Sequence, residues 1–534
     1  MCRPGSLTAK NLLAFSWGRE YPVNILLHLL VGTPWQETMT KFGSPAATTI
    51  SDNGTDQQFE IATNLIDFDF RSQTSAMSQV SARTEYVIPS LVEDKVSPRA
   101  KDILQKVYRF VQDECIPAET AFFAQVKPDM KNGRWTSYPA IIEDLKAKAR
   151  AHNPPLWNLF LHKGYPEGPG LSNLEYALMA EIMGTCYIAS EAMNCAAPDT
   201  GNMEVFAKYG TPEQKKEWLV PLLDGKIRSA FAMTERFVAS SDATNIRTAI
   251  TTQGDDYVIN GRKWWISGAG DPRCKVLLVM GKTDPNNASP HKQQSLVIVP
   301  ADAPGITYVR PMHVFGEDSA PHGHMEILFE NVRVPKRNII LGEGRGFEVI
   351  QGRLGPGRIH HCMRTIGIAE VSLDLLINRI FDKDRKVFGK HLFQHGTVQG
   401  DVADCRMEIE QARWLVLNAA DKIDRAGAKN AMKEIALAKV VVPKMALKVI
   451  DRAQQVHGAE GICQDSKLPM LWIHTRTLRY ADGPDETHRA QIGRLEMKRA
   501  PQVIADIKRN QDRQEAMLKS LNLRAAHSAA VAKL

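Results

Sequence analysis

The stretch Phe231-Ala-Met-Thr-Glu-Arg-Phe-Val-Ala-Ser-Ser-Asp-Ala-Thr-Asn245 lies in the middle of the chain, between a helical and a β-rich region. Its hydroxyl groups and small residues indicate a loop with many hydrogen-bond donors, which suits a polar, multiply oxygenated ligand. Taken alone, the stretch is explained equally well as an Asx- and Ser-rich connector. The next segment, Asn260-Gly-Arg-Lys-Trp-Trp-Ile-Ser-Gly268, favours the ligand, because a hairpin turn there leads into a strand with two adjacent tryptophans.

The region that follows the loop has the pattern of a sheet. Short β-branched or aromatic segments alternate with turn residues such as Asn260-Gly261 and Pro304-Gly305. The segments are Thr248–Thr252, Tyr257–Ile259, Arg262–Ile266, Val276–Met280, Ser295–Val299 and Met325–Phe329. Six short strands with tight turns predict an antiparallel sheet or barrel rather than a doubly wound parallel sheet.

Both flanks of this region have helical periodicity. Ile103, Val107 and Phe110 recur at helix spacing upstream, and long one-sided patterns beginning at Cys405 and Ile435 predict a bundle downstream. We therefore expect five regions: a poorly structured N-terminal extension 1–90, an α-helical domain 91–228, a β-domain 229–335, a helical bundle 336–510, and a basic tail with a targeting signal 511–534.

Composition narrows the class of protein. The net charge is +7 over 534 residues, but positions 491–534 hold nine Lys/Arg against four Asp/Glu, so a nucleic-acid-coating surface is not expected. The eight cysteines include no CxxC pair, which favours free thiols in a reducing compartment. No apolar run approaches the ~20 residues of a membrane span. We expect a soluble intracellular protein without a metal site.

The loop and the tryptophan strand together resemble the flavin-binding β-domain of the acyl-CoA dehydrogenases, whose loop reads Thr-Glu-Pro-x-x-x-Ser-Asp and whose strand reads Trp-Ile-Thr/Ser. Here the loop reads Thr234-Glu-Arg236, with one extra residue before Ser241. The α, β, α order over Ser97–Lys508 matches the family across roughly three quarters of the chain. The resemblance implies an α+β multi-domain fold with an N-terminal α-helical domain, a middle antiparallel β-domain and a C-terminal four-helix bundle.

Three segments look most like the acyl-CoA dehydrogenase 10/11 branch of this family. They are Val238–Asn245, Gly352-Arg-Leu-Gly-Pro-Gly-Arg-Ile-His-His361 and Ala481-Asp-Gly-Pro-Asp-Glu-Thr-His488. That branch often carries an N-terminal kinase-like domain, and a chain of this length is expected to lack one.

The resemblance implies bound FAD. Gly342-Glu-Gly-Arg-Gly346 lacks the spacing of a dinucleotide fingerprint, so the flavin is expected to be held without a Rossmann unit. The residues that match the family's contacts in the loop and strand are Phe231, Met233, Thr234, Ser240, Ser241, Trp265, Ile266 and Ser267. Those that match contacts to a neighbouring subunit's cofactor, and so imply a homodimer or homotetramer, are Arg385, Gln455, Gly458, Ala459 and Gly461. Pro484, Asp485 and Glu486 complete the cofactor set.

The catalytic base of the family, a glutamate in Tyr-Glu-Gly-Thr, is matched by Asp482. The aspartate side chain is shorter by one C–C bond, ~1.5 Å, and a misplacement near 1 Å can cost ~10²-fold in rate. Asp485 and Glu486 are rival bases, although both fit the first turn of a helix, where acids are favoured structurally. The substrate contacts carried over by the resemblance are Ser241, Arg358 and Gly483.

The resemblance implies the introduction of an α,β double bond into an acyl-CoA thioester, as in fatty acid β-oxidation. A base removes the α-proton and a hydride passes to the flavin. A flavoprotein such as electron-transferring flavoprotein is the expected electron acceptor. Two alternatives stay open: an oxygen-using acyl-CoA oxidase or flavin hydroxylase of the same superfamily, and a non-catalytic, DNA-binding member, which the basic tail would suit.

The chain ends in Ala532-Lys533-Leu534, a variant of the Ser-Lys-Leu peroxisomal address. A peroxisomal location is therefore expected. The acid-free segment Met1–Arg19 makes a mitochondrial location the alternative.

Overall fold

The computed structural model of the protein describes residues 83–126 and 135–523, apart from the side chains of Leu354 and Pro356. The predictions for the N-terminal extension up to residue 82 and for the Ala532–Leu534 address lie outside the described residues and stay predictions. Within the described parts, no helix is long and apolar enough to cross a bilayer.

The N-terminal part is helical, as predicted. Helix starts follow the sequence: Ser97 accepts a hydrogen bond from the Ala100 amide, and Ser172 and Glu175 form a capping box. The main helices are α1 (Pro98–Phe110), α2 (Ile116–Gln125), α3 (Ala140–Ala151), α4 (Asn173–Met183) and α5 (Asp199–Tyr209).

A seven-stranded sheet follows. Its strands are β1 (Arg228–Ala232), β2 (Ala249–Gln253), β3 (Asp256–Ser267), β4 (Cys274–Lys282), β5 (Gln294–Pro300), β6 (Ile306–Pro311) and β7 (His324–Pro335). The order is β1-β4-β2-β3-β7-β6, with β5 also paired to β4. The strand pairs β2–β3, β3–β7, β4–β5 and β6–β7 are antiparallel, which confirms the main prediction.

The structure departs from that prediction in two places. Asn260-Gly261, predicted to be a hairpin turn, lies inside β3 at a register shift, so the predicted strands Tyr257–Ile259 and Arg262–Ile266 are one strand. The other departure is parallel pairing to β4, by one residue pair of β2 and by the whole of strand β1. Arg228-Ser-Ala-Phe-Ala232 pairs with β4 in parallel, with Ser229 opposite Val276. The sequence analysis assigned Phe231 to a loop, because small residues such as Ala230 and Ala232 carry little β-propensity. The pairing with β4, whose Leu277 and Leu278 are fully buried, overrides that weak local preference.

The C-terminal part is a helical bundle. It comprises α6 (Gly346–Ile380), α7 (Gly396–Ala426), α8 (Met432–His457), α9 (Leu468–Thr477), α10 (Asp485–Met497) and α11 (Ala500–Ser520), and a small hairpin of β8 (Lys386–Val387) and β9 (Lys390–His391) separates α6 from α7. The predicted apolar faces that contain Cys405 on α7 and Ile435 on α8 are buried. Because α11 runs to Ser520, the predicted boundary at residue 510 falls within one helix.

A buried ionic network joins β1 to the helical part before it. Arg228 contacts Asp199 at 2.9 Å and Glu191 at 2.8 Å, and Arg273 contacts Asp271 and Glu191 at 2.8 and 2.7 Å. Opposite charges compensate one another there, which a buried ion must have to be tolerated. The network fixes the strand from which the loop at residue 233 departs.

Candidate active site

The loop after β1 is fastened to the sheet by a buried carboxylate. Glu235 accepts hydrogen bonds from Lys263 Nζ at 2.8 Å, Thr248 Oγ1 at 2.6 Å, the Thr248 amide at 2.9 Å and the Arg247 amide at 2.8 Å. Burial lowers the pKa of Lys263 to about 8, so its ammonium stays charged at neutral pH opposite Glu235. All of these contacts are local to the β-domain, and they give the loop one conformation.

The same lysine brings the two predicted flavin-contacting segments together. Lys263 Nζ donates to the Met233 carbonyl at 2.9 Å, and the Trp264 amide donates to the Thr234 carbonyl at 3.0 Å. Thr234 and Trp265 therefore lie on adjacent segments. Ser267, at the end of β3, lies 2.8 Å from His324 Nδ1 through its hydroxyl. Met233, Thr234, Trp265 and Ser267 are partly exposed, whereas the side chain of Ile266, also predicted to contact the flavin, is buried.

The two predicted loop serines differ in what they can offer a ligand. The Ser240 hydroxyl accepts from the Glu235 amide at 2.9 Å and donates to the Glu235 carbonyl at 3.1 Å, so it closes the loop on itself. Ser241 is exposed. The structure thus leaves Ser241 available to a ligand and gives Ser240 a structural partner.

The predicted diphosphate-binding elements meet at the end of α8. Arg385 Nη2 lies 3.2 Å from Glu460 Oε2, inside the 3₁₀ turn Gly458–Ile462. Gln455, Gly458 and Ala459 are exposed, whereas Gly461 is buried. A Cβ at position 461 would lie 2.5 Å from a backbone oxygen, so only glycine fits. An exposed guanidinium beside a tight glycine turn suits a diphosphate.

Asp482 lies between α9 and α10 and faces a small cavity. The cavity is about 10 Å³, roughly the size that holds one water. Its lining residues are Ala197, Pro198, Thr200, Gly201, Arg353, Gly357, His360, His361, Arg364 and Asp482. The cavity is therefore lined by polar and apolar groups in about equal measure, with two arginines facing the single carboxylate.

The backbone of Asp482 is held firmly. Its φ of +57° lies in the left-handed region, which an aspartate adopts more readily than most residues. Arg358 Nε donates to its carbonyl oxygen at 2.9 Å, and the buried Lys439 donates to the Leu478 carbonyl at the start of the same turn. Arg358 was predicted to contact substrate, and in the structure one of its N–H groups instead holds the backbone of Asp482.

The carboxylate of Asp482, in contrast, is held loosely. Oδ1 lies 3.7 Å from Arg353 Nη1, and Oδ2 lies 3.6 Å from His361 Nε2. Both distances exceed that of a hydrogen bond. Burial acts to raise the pKa of Asp482, but His361, Arg353 and Arg358 outweigh it and hold the pKa below its usual value. A Cβ at position 357 would lie 3.4 Å from Oδ2, so Gly357 admits the carboxylate against α6.

Arg353 joins Asp482 to the start of the loop. Its guanidinium lies 4.3 Å from the centre of the Phe231 ring, and its Nε donates to Asn202 at 3.2 Å. Arg353 and His361 were not predicted to be site residues, although both lie in the Gly352–His361 segment that resembles the 10/11 branch. Arg353, Gly357 and His361 are spaced four residues apart and so share one face of α6, which was the available signal.

The two rival bases have other surroundings. Asp485 is buried and pairs with Arg479 at 2.7 Å and with Lys444 at 3.4 Å. Glu486 is exposed on the first turn of α10. Pro484 is the N-cap of that helix, and Gly483, with a φ of +105°, packs against His488. Of the three acids, Asp482 alone lines the cavity.

Comparison with known proteins identifies the family. Family models match three regions, described as the N-terminal domain (residues 97–226), the middle domain (230–332) and the C-terminal domain (344–496) of acyl-CoA dehydrogenase. The chain is 54% identical to "Probable acyl-CoA dehydrogenase FadE2" of Mycobacterium tuberculosis over 69% of this chain and 88% of that protein. It is 53% identical to chicken acyl-CoA dehydrogenase family member 11 over 75% of this chain and 51% of that protein.

A solved structure agrees. The chain shares 46% identity and a TM-score of 0.72 with a Mycobacterium abscessus protein assigned as an acyl-CoA dehydrogenase, over 76% of this chain and 99% of that one. The chain spans about half or less of the length of several curated relatives, such as mouse acyl-CoA dehydrogenase family member 10 at 37%. The chain belongs to the acyl-CoA dehydrogenase family, and its resemblance to family members 10 and 11 is confirmed.

Proposed function

We propose that this flavoprotein oxidoreductase introduces an α,β double bond into an acyl-CoA thioester, with Asp482 as the base that removes the α-proton. The observation that carries the proposal is the position of Asp482. Its carboxylate faces a cavity that Arg353 also lines, and the Arg353 guanidinium contacts the ring of Phe231 at the start of the predicted flavin-binding loop. An anchored backbone with a loosely held carboxylate is what a base needs if it is to exchange its partners for substrate.

The chain's own residues divide the remaining work. Met233, Thr234 and Trp265 to Ser267 form the surface on which the flavin ring would rest, and Ser241 and Gly483 are the proposed thioester-side contacts. FAD, when bound, supplies the acceptor for the β-hydride. The guanidinium of Arg353 lies beside Oδ1 of Asp482, so a substrate that enters must displace it. The displacement leaves Oδ1 free to accept the α-proton.

Assembly and partners extend the proposal. Arg385, Gly458 and Ala459 are exposed and suit the cofactor of a second subunit, so we propose a homodimer or homotetramer. A flavoprotein of the electron-transferring type is the proposed acceptor, in peroxisomal fatty acid β-oxidation.

Anaerobic titration of the purified protein with acyl-CoAs of graded chain length tests the function. The expected result is a yellow protein whose flavin band bleaches with at least one substrate, and whose reduced form reoxidises slowly in air. Rapid reoxidation with formation of hydrogen peroxide would instead favour an acyl-CoA oxidase. A protein without flavin, or a flavin that no acyl-CoA bleaches, contradicts the proposal.

A further inference from the structure

His361 has a defined protonation state on α6. Arg364 Nη2 lies 3.4 Å from His361 Nδ1, and because a guanidinium can only donate, Nδ1 must accept. The ring proton therefore sits on Nε2, the atom that lies 3.6 Å from Asp482 Oδ2. Burial lowers the pKa of His361 to about 3, so the ring stays neutral while it presents this N–H to the carboxylate.

The two oxygens of Asp482 are not equivalent. Arg353 faces Oδ1 and His361 faces Oδ2, and both side chains line the cavity. His361 is held on its other side by Arg364, which itself donates to the Cys195 carbonyl at 3.5 Å. Because this support does not involve Arg353, His361 can stay beside Oδ2 when the Arg353 guanidinium moves.

We propose that His361 is a positioning residue for Asp482: once substrate displaces Arg353, the carboxylate closes the 3.6 Å gap between Oδ2 and the His361 Nε2–H, so that Oδ1 is the oxygen presented to the α-proton. The inference rests on the proposed role of Asp482 as the base. This role for His361 would explain how an aspartate, one C–C bond shorter than glutamate, can act as the base, because a carboxylate already held in the productive orientation loses less rate to misplacement.

Charged and titratable groups face the pair from several elements. Arg353, Arg358, His360 and Arg364 lie on α6, Lys439 on α8 and His474 on α9. Because its neutral ring presents Nε2–H to Oδ2, His361 favours the ionised form of Asp482, so its removal is expected to raise the pKa of that carboxyl. The rate of α-proton removal should then fall at a higher pH than in the wild type, because the base must be ionised.

The test compares His361→Leu, His361→Gln and the control His313→Gln in anaerobic stopped-flow reduction of the holoenzyme by its best acyl-CoA. We expect His361→Leu to slow flavin reduction by ~10²-fold with little change in substrate affinity, and to move the acid limb of the pH profile upward. His361→Gln, whose amide can donate to the same oxygen, should recover most of the rate. His313 is an exposed histidine after β6 and does not line the cavity, so its glutamine variant should keep the wild-type rate and midpoint.

A second readout does not need turnover. Infrared difference spectra between each protein and its Asp482→Asn counterpart report the carboxyl band, and His361→Leu should titrate it at higher pH. Wild-type reduction rate and midpoint in His361→Leu, or a loss in His361→Gln as large as in His361→Leu, would overturn the inference. Failure of the proposed function is distinguishable, because Asp482→Asn would then reduce its flavin normally.

Discussion

Two carboxylates, the buried Glu235 and the partly buried Asp482, have opposite hydrogen-bonding environments. Glu235 accepts four hydrogen bonds of 2.6 to 2.9 Å, one of them from the buried ammonium of Lys263. Asp482 has two cationic or polar neighbours, and neither comes closer than 3.6 Å to its oxygens. Each carboxylate has its pKa lowered against the opposing effect of burial.

The number of hydrogen bonds that each carboxylate accepts indicates whether its role is structural or chemical. A fully bonded carboxylate cannot take a proton without losing several partners, so Glu235 serves to hold the loop. The backbone of Asp482 is held by the hydrogen bond from Arg358, whereas its carboxylate oxygens have no neighbour closer than 3.6 Å among Arg353 and His361. The comparison assigns Glu235 a structural role and Asp482 a chemical one, and single substitutions can break or sharpen that assignment.

The largest effect is expected for Asp482→Asn. The amide cannot accept the α-proton, so flavin reduction by acyl-CoA should fall by roughly 10³-fold or more, while flavin content and thermal stability change little. Anaerobic absorbance changes after mixing measure the rate. Glu486→Gln is the control on the neighbouring helix, and a slow Glu486→Gln beside a normal Asp482→Asn would show that the base is misassigned.

Lys263→Met should have the next largest effect, on stability rather than on rate. It leaves Glu235 buried without its cation, which costs about 3–5 kcal/mol of unfolding free energy. Urea unfolding should show the loss, together with weaker retention of flavin. The double variant Glu235→Leu/Lys263→Met removes both charges and should recover part of the stability; a double variant less stable than Lys263→Met would contradict the structural role.

Asp482→Glu tests how closely the pocket fits the shorter acid. Oδ2 already lies against Gly357, so a longer side chain must shift the carboxylate, and a rate loss of ~10²-fold is expected from a displacement near 1 Å. Stopped-flow reduction measures it, with substrate affinity as the internal control. An unchanged or faster Asp482→Glu would show that the backbone, rather than the side-chain length, sets the geometry.

Much of the fold follows from the sequence, because it depends on local signals. The strands from Thr248 onward carry β-branched residues and turn dipeptides, and the bundle helices carry one apolar face each, so periodicity predicts both. The sequence did not predict strand β1, because its position in the sheet depends on pairing with β4, which lies more than forty residues away in the sequence.

The site follows from the sequence only in part. Asp482 was found by resemblance, but the reason for preferring it to Asp485 is three-dimensional: Arg479 and Lys444 neutralise Asp485. Arg353 and His361 were missed because their role depends on which face of α6 meets the turn at Asp482. A helix of 35 residues offers several such faces, and the sequence does not say which one is used.

The smallest effect concerns a third carboxylate, Glu204 on α5, for which burial outweighs the attraction of Arg353 and Lys208. Burial raises its pKa from 4.5 to about 8, and within the described part of the chain its Oε2 has no hydrogen-bond partner. Between those two pH values the folded protein keeps a proton that the unfolded chain has released, so stability falls as pH rises through this window.

Glu204→Gln cannot titrate, and its stability relative to wild type should therefore grow from pH 4.5 to pH 8. The advantage at pH 8 should be about 1–2 kcal/mol, smaller than the pKa shift alone implies at ~1.4 kcal/mol per unit, because the amide is itself short of partners. Urea unfolding at several pH values measures it, with the exposed Glu217→Gln as control. A constant difference across the window would mean that Glu204 is ionised in the folded protein and belongs with Asp482 rather than apart from it.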